Sequence, residues 1–224
     1  MFSIHMIPTF AIAMGIASSL AAAETRVFMF DADKEGQAAA GFKCARTGNG
    51  REGVWKIVVD TTAGSRRNVL AQVDADPAQY RFPVCVRGDV NAANVDISVK
   101  FYPVSGEVDQ AAGIVWRYKD ASNYYIVRAN ALEDNVVLYK VQNGKRSDLP
   151  LVGKGKTYGA KAPVPKKQWS TLRVAAAGNT FTVYLNDAKL FAVEDTTFPE
   201  PGAAGVWTKA DSVTWFSDFS VTTP

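Results

Sequence analysis

The sequence contains a single histidine, His5, which lies in an N-terminal segment that we expect to be cleaved from the mature protein. A chain without histidine can build neither a Ser-His-Asp triad nor a Cys-His nucleophile pair. It also cannot form histidine-containing zinc sites, and its two cysteines are too few for a structural zinc cage. Any bound metal would have oxygen ligands, which favours calcium or magnesium.

Residues 4–23 contain no Lys, Arg, Asp or Glu and are rich in apolar and small side chains. They end with Ala21-Ala22-Ala23, which fits an Ala-x-Ala cleavage site. We expect residues 1–23 to be a secretory signal peptide, and residues 24–224 to form one periplasmic or secreted domain. Because Lys and Arg are missing from the start of the segment, an uncleaved anchor is the alternative. A bilayer span requires about 20 apolar residues, and this apolar core is shorter, so we expect no membrane span after cleavage.

Neither sign of charge dominates, since 25 Lys and Arg residues stand against 22 Asp and Glu residues that are spread along the chain. Nucleic-acid binding would need a basic stripe or a recognisable motif, and the sequence has neither. The most basic tract, residues 154–167, is rich in Gly and Pro and is interpreted as a solvated loop. We expect a monomer with no nucleic-acid partner.

Cys44 and Cys85 are the only cysteines. An even pair in an oxidising compartment is often bridged, so we predict a disulfide between them. Closing a loop of this length contributes about 3 to 4 kcal/mol in the chain-entropy model. Two buried free thiols are the alternative, because a sequence does not show whether two Cα atoms lie within bonding range.

No window of the sequence has apolar residues at helical spacing over three turns with credible caps. Instead, about a dozen short segments alternate between apolar and polar residues and are separated by turn signals. In residues 94–102, for example, Val95, Ile97, Val99 and Phe101 fall on one face. The pattern predicts an all-β protein, an antiparallel two-sheet sandwich or jelly roll.

Residues 113–149 contain three consecutive strand patterns, which predict an antiparallel meander. The third pattern leads into Asn143-Gly144, the strongest short hairpin signal. Guanidinium, amide and phenol groups of the meander are expected to gather on one sheet face. Alternation along the first strand places Ile114, Trp116 and Tyr118 on one face, and Val115 and Arg117 on the other.

Several stretches resemble secreted bacterial members of the concanavalin A-like lectin/glucanase superfamily: VDQAAGIVWRYKDASNYYIVRANALEDNVVLYK, QWSTLRV, FTVYLND, LFAVED and GVWTKADSVTWFSDF. Within it, the chain is similar to the laminin-G-like group that includes the 3-keto-disaccharide hydrolase domain family. The Gly-x-x-x-Arg and Asn-Tyr-Tyr patterns of that family resemble residues 113–117 and 123–125. The resemblance implies a jelly roll of two curved antiparallel sheets whose concave face or rim holds a saccharide.

Our first hypothesis is a non-catalytic domain that binds a saccharide or glycan. Planar polar groups suit sugar hydroxyls, and aromatic rings suit the apolar faces of sugars. The candidate binding residues are Arg117, Arg128, Asn130, Asn135, Tyr139, Trp207 and Lys209. For Trp207 the alternative is core packing. For Arg117 and Arg128 the alternative is a structural pair with an acidic residue such as Glu133 or Asp211.

The second hypothesis is a 3-keto-disaccharide hydrolase that uses carboxylates as acid and base, with Glu107, Asp109 and Glu133 as the candidates. Glu107 and Asp109 are two positions apart and are expected to share a strand face. Glu133 lies in a turn, where a solvated carboxylate is the alternative. The segment 107–109 lacks the third carboxylate of the Glu-x-Asp-x-Glu pattern that family-16 glucanases carry, which argues against glucanase activity.

A third hypothesis is a structural or interaction module without a small ligand. A concave face that proved to be filled by side chains would favour it.

The resemblance also implies a structural calcium near the two chain ends, as in some members of the superfamily. Asp31, Asp33 and Asp218 are the candidate ligands. Unliganded surface aspartates are the alternative, and no other cofactor is expected.

Overall fold

The computed structural model describes residues 23–62 and 66–224; the predicted signal peptide, apart from Ala23, lies outside the described residues. In this part of the chain there are sixteen strands and no helix, and therefore no helix that could cross a membrane. The all-β prediction is confirmed. The strands are β1 (Glu24–Phe28), β2 (Phe42–Gly48), β3 (Trp55–Asp60), β4 (Arg67–Gln72), β5 (Arg81–Ala92), β6 (Val95–Ser105), β7 (Ala111–Asp120), β8 (Asn123–Asn130), β9 (Asn135–Gln142), β10 (Lys145–Asp148), β11 (Ala160–Lys161), β12 (Ser170–Ala177), β13 (Thr180–Leu185), β14 (Ala188–Glu194), β15 (Gly202–Thr208) and β16 (Val213–Thr223).

The strands form two sheets in which the neighbours pair antiparallel. The first sheet has the order β14-β13-β12-β6-β16-β4-β3, with β1 paired to β16. The second has the order β10-β9-β8-β7-β15-β5-β2, with β11 paired to β9. The sheets curl and pack face to face, which confirms the predicted two-sheet jelly-roll sandwich.

The main core lies between the two sheets and takes alternate residues from each. In β6, Val95, Ile97, Val99 and Phe101 are all buried in it, as the alternation of that segment predicts. The second sheet contributes residues such as Trp116. Alternation thus identified the buried face of β6 correctly.

A second apolar cluster lies on the outer face of the second sheet, and we call it the apolar floor. Its members are buried although the first sheet contributes none of them, because the sheet curls around its own outer face. Gly113 makes this packing possible, since a Cβ there would collide with Ile126 and lie 3.3 Å from Trp207. The buried residues of the apolar floor are Phe82, Val84, Val86, Ala111, Val115, Tyr124, Ile126, Val137, Tyr139, Val141 and Trp207.

The predicted meander is present as β7, β8 and β9, and the Asn143-Gly144 turn leads into β10. A β-bulge interrupts β7 after Trp116, where Arg117 adopts a φ of 46°. The bulge shifts the alternation of side chains by one residue, so the residues after Trp116 lie on the faces opposite to those predicted. Arg117 therefore joins the core side, over Phe181, and Tyr118 packs against the apolar floor. The predicted faces are correct through Trp116 and wrong for Arg117 and Tyr118.

The predicted disulfide between Cys44 and Cys85 is confirmed. The two residues are direct partners in the β2–β5 register. Since β2 is the last strand of the second sheet, the bond ties an edge strand to its neighbour.

Candidate functional site

Polar side chains gather at one end of the apolar floor, where a turn joins β8 to β9. Arg128 and Asn130 alternate with the core residues Val127 and Ala129, so their side chains lie on the outer face of the sheet. The neighbouring strand β9 and four loops supply the other members. We call the group the polar cluster: Asp109, Arg128, Asn130, Glu133, Asn135, Tyr139, Tyr158 and Lys209.

Arg128 is the centre of the polar cluster and is completely buried. Its Nη1 donates to Asn135 Oδ1 at 2.7 Å, and its Nη2 donates to Glu133 Oε2 at 2.8 Å. Nη2 also lies 3.2 Å from the Tyr139 hydroxyl and 3.1 Å from the Tyr158 hydroxyl. Burial alone would lower the pKa of Arg128, but Tyr139 and Glu133 raise it above its ordinary value. The guanidinium therefore stays charged.

Two carboxylates meet at the amide of Asn130. Its Nδ2 donates to Asp109 Oδ1 at 2.7 Å and to Glu133 Oε1 at 3.0 Å. Burial raises the pKa of Asp109, and the ion pair with Lys209, at 2.5 Å, opposes this only in part. Burial would also raise the pKa of Glu133, but the charge and hydrogen bond of Arg128 lower it below its ordinary value. The pKa values of the two neighbouring carboxyl groups are thus shifted in opposite directions.

Asp211 holds the loop that carries Asp109. Its carboxylate accepts hydrogen bonds from the backbone N–H groups of Glu107 at 2.6 Å, Val108 at 3.0 Å and Asp109 at 2.9 Å. Burial opposes ionisation, but these three donors lower the pKa of Asp211. Sequence reasoning considered Asp211 only as an arginine partner and missed this role, because the contacts join residues more than a hundred positions apart.

Only the outer edge of the polar cluster reaches solvent. The Glu133 side chain is 33% exposed, Lys209 17% and Tyr158 46%. Trp207 is fully buried in the apolar floor, and its ring centroid lies 5.3 Å from that of Phe82, on which it stacks. This arrangement favours core packing over sugar binding for Trp207. A ligand at this site would contact the exposed edge and not the indole ring.

Tyr158 comes from the basic tract, residues 154–167, that was interpreted as a solvated loop. The tract is mostly exposed, but it also forms β11 on β9, and Lys161 Nζ donates to the Glu133 carbonyl at 3.0 Å. Gly159 permits the close approach, because a Cβ there would collide with the Val136 carbonyl oxygen. The interpretation as a solvated loop holds for most of the tract, but it misses the contacts that Tyr158 and Lys161 make with the polar cluster. The signal that sequence reasoning passed over is the single aromatic residue of the tract, next to a glycine.

Besides Trp207, two of the predicted binding and catalytic residues lie outside the polar cluster. Arg117, at the other end of β7, donates to the carbonyls of Ala93 at 2.9 Å, Phe198 at 2.8 Å and Gly178. Glu107 is exposed in the loop between β6 and β7. The expectation that Glu107 and Asp109 share a strand face is wrong, since both precede β7 and Asp109 turns inward.

The three predicted calcium ligands all have partners within the protein. Asp218 lies 2.7 Å from Lys100 Nζ and 3.6 Å from Arg67, so cations already neutralise its carboxylate. Asp33 accepts a backbone N–H from Ala40, and Asp31 also accepts a backbone N–H. Among residues 23–62 and 66–224, no three acidic, His or Cys side chains gather so that they could hold a metal ion. These contacts favour the alternative of unliganded aspartates, and calcium binding stays a prediction.

Comparisons with known proteins support the fold. No family model matches the chain, and no curated protein matches it. Carbohydrate-binding module CBM66 from Bacillus subtilis has a similar structure (TM-score 0.61, 20% identity, 84% of this chain and 98% of that chain). A second similar structure is domain 4 of AbnA, a GH43 extracellular arabinanase from Geobacillus stearothermophilus, in complex with arabinotriose. Its TM-score is 0.53 at 13% identity, and the match covers 89% of this chain and 93% of that chain. A third is a protein of unknown function with a galectin-like fold from Bacillus subtilis. Its TM-score is 0.51 at 11% identity, and the match covers 84% of this chain and 96% of that chain. The chain therefore has a jelly-roll sandwich fold of the concanavalin A-like and galectin class.

Proposed function

We propose that this protein binds a saccharide at the exposed edge of the polar cluster. The observation that carries the proposal is the fully buried Arg128, whose hydrogen bonds to side chains lead outward to the exposed carboxylate of Glu133. A buried charge is costly unless its partners are fixed, so such a network gives an exposed group a single orientation. A fixed exposed acceptor is what recognition of a sugar hydroxyl requires.

The groups at this edge match the chemistry of a sugar. Glu133 supplies acceptors, Lys209 supplies donors, and the half-exposed Tyr158 supplies a ring face and a hydroxyl. Two structures with the same fold point to the same ligand class by their names, the carbohydrate-binding module and the arabinanase domain solved with arabinotriose. At such low sequence identity their structural similarity supports the fold alone, and the chemistry of this edge supports the ligand.

Glycoside hydrolysis, including hydrolysis of 3-keto-disaccharides, is the second candidate. Asp109 and Glu133 both bond the Asn130 amide nitrogen and have pKa values shifted in opposite directions, which is a feature of acid–base pairs. Asp109 is only 1% exposed, however, so a substrate would have to displace Lys209 or the loop to reach it. Binding therefore ranks above hydrolysis.

The filled outer face of the second sheet is the feature that favours the structural-module hypothesis. It leaves no room for a sugar among the buried side chains of the apolar floor as they stand in this structure. The proposed site therefore lies beside the apolar floor, at the edge where Glu133 and Tyr158 are accessible.

A periplasmic or secreted location is part of the proposal. The Cys44–Cys85 disulfide supports it, since such bonds persist in oxidising compartments.

The test is a thermal-shift screen, followed by calorimetric titration, against monosaccharides and disaccharides that include 3-keto derivatives. A sugar at a hundredfold its Kd should stabilise the protein by about 2.7 kcal/mol. Glu133→Gln should weaken binding about tenfold or more, because a charge-assisted hydrogen bond is lost. Tyr158→Phe removes only one hydroxyl and should weaken binding without changing the fold.

Glu194→Gln is the matched control, since this glutamate is exposed at the end of β14 in the first sheet. It should bind as the original protein does. A sugar recovered intact supports a binding protein, and conversion of the sugar into products supports the hydrolase. If no sugar shifts the melting temperature, the proposal is wrong and the structural module is favoured.

A further inference from the structure

Arg146 lies across the apolar floor, next to the polar cluster. It belongs to β10, and its backbone N–H donates to the Tyr80 hydroxyl at 2.8 Å. Its guanidinium carbon lies 4.4 Å from the ring centre of Phe82, 4.4 Å from that of Tyr139 and 5.8 Å from that of Trp207. Three aromatic rings therefore hold the guanidinium in place.

The guanidinium of Arg146 has one buried nitrogen without an acceptor among residues 23–62 and 66–224. Its Nη1 is shut off from solvent and has no hydrogen-bond partner in the described part of the chain. Three other arginines have a buried nitrogen without a hydrogen-bond partner, but each lies near a carboxylate: Arg46 near Glu52 (3.5 Å), Arg67 near Asp60 (3.7 Å) and Arg128 near Glu133 (2.8 Å).

No carboxylate of residues 23–62 and 66–224 lies within 4.0 Å of Arg146, and the remaining residues include no Asp or Glu. A buried donor without an acceptor is costly, and most such donors in native proteins have a partner. Because Arg146 itself is only half-buried, a ligand that reaches its guanidinium can supply the missing acceptor.

Arg146 is close enough to the polar cluster to act on the same ligand. The Tyr139 ring that Arg146 contacts at 4.4 Å also lies 5.9 Å from the guanidinium carbon of Arg128. The Tyr139 hydroxyl in turn accepts a hydrogen bond from Arg128. Tyr139 thus contacts both guanidinium groups, so we expect a saccharide held at Glu133 to present a substituent to Arg146.

We propose that Arg146 recognises the anionic group of an acidic saccharide, either the carboxylate of a uronic acid or a sulfate. This inference rests on the proposed function, whose site it extends. A guanidinium presents its N–H groups as a fork that matches two oxygens of a carboxylate or a sulfate, and such charge-assisted bonds are strong. Stacking on Phe82 and Tyr139 orients the fork in advance, which reduces the entropy lost on binding.

The experiment is a calorimetric titration of the purified protein with digalacturonate, its dimethyl ester, neutral galactobiose and galactose 6-sulfate. We expect at least one anionic sugar to bind about tenfold or more tightly than the neutral sugars. In Arg146→Met the aromatic rings stay covered, but the donors and the charge are lost, so the preference should disappear. Arg146→Lys keeps the charge without the fork and should retain part of the preference.

Lys145→Met is the matched control, because it removes one positive charge from the neighbouring, exposed position of the same strand. It should keep the preference. Circular dichroism and the melting temperature show whether each variant is folded.

The outcomes separate the two proposals. Tight digalacturonate binding identifies a uronate ligand, and tight galactose 6-sulfate binding identifies a sulfated one; both support the role of Arg146. Equal affinity for neutral and anionic sugars, or a preference that survives in Arg146→Met, overturns the inference but leaves saccharide binding intact. If none of these four sugars binds while a neutral sugar of the thermal-shift screen does, the inference about Arg146 is wrong and saccharide binding stands. If no sugar binds in either experiment, both proposals are wrong.

Discussion

At the scale of single residues, three buried arginines show how the acceptor decides the role of a charge. Arg81 donates to the carbonyls of Arg51, Glu52, Asp74 and Ala210, and to the Asp74 carboxylate. Arg117 donates to three backbone carbonyls, and Arg128 donates only to side chains. Backbone acceptors tie loops together, so Arg81 and Arg117 are structural. The acceptors of Arg128 include side chains that reach the surface, so Arg128 is the centre of the proposed site.

Replacing Arg117 should therefore affect stability and leave binding unchanged. In Arg117→Met the three carbonyls of Ala93, Phe198 and Gly178 lose their donor, and we expect the free energy of unfolding to fall by about 2 to 3 kcal/mol. Urea denaturation measures this change. Lys119→Met, on the exposed end of the same strand, is the control and should change stability by less than about 0.5 kcal/mol. Loss of sugar affinity in a folded Arg117→Met protein would contradict a purely structural role.

At the scale of elements, local distortions decide which face a side chain joins. The bulge at Arg117 moves this residue from the predicted outer face of β7 to the core side. The loop between β6 and β7 turns Asp109 inward while Glu107 stays exposed, because Asp211 binds three consecutive N–H groups of the loop. Neither distortion follows from the alternation of the strands.

The Asp211 contacts predict a stability that depends on pH. The folded pKa of Asp211 is lowered, so its contribution is present above the unfolded value of about 3.9 and is lost as the pH falls through the folded value. Asp211→Asn should lower the free energy of unfolding by about 1 to 3 kcal/mol at neutral pH. The difference from the original protein should shrink below about pH 4.

Urea denaturation at pH 7 and at pH 3 tests this prediction. Asp187→Asn, in the exposed turn before β14, is the control and should show little difference at either pH. A difference for Asp211→Asn that is the same at both pH values would show that the charge of Asp211 does not carry the effect.

At the scale of the whole molecule, a disulfide bond ties the edge strand β2 of the second sheet to its neighbour β5. The Cys44–Cys85 bond joins direct partners in β2 and β5 and closes a loop with a sequence separation of 41 residues. In the chain-entropy model, such a loop contributes about 4 kcal/mol through its effect on the unfolded chain.

The double variant Cys44→Ala, Cys85→Ala should therefore lose about 4 kcal/mol of unfolding free energy. Denaturation with and without reductant measures the effect, and reductant should destabilise the original protein without changing the double variant. A loss below about 1 kcal/mol would mean that the β2–β5 pairing persists in the unfolded ensemble.

The sequence by itself determined the class of the fold, the inner face of β6, the meander and the identity of the disulfide partners. The sequence also predicted that Arg128, Asn130, Asn135 and Tyr139 lie on one face of the sheet. Strict alternation along the two paired strands β8 and β9 places their side chains there. These features depend on local chain geometry or on neighbouring strands, so a pattern of a few residues is enough to predict them.

Only the tertiary structure decided which groups complete and cover the site. Tyr158 reaches Arg128 from 30 positions away, and Asp211 holds Asp109 from 102 positions away. The curl of the second sheet buries Trp207, and Arg146 comes to lie over the apolar floor. These contacts join segments that are distant along the chain, and their geometry depends on the packing of the whole sandwich rather than on the spacing of residues within one strand.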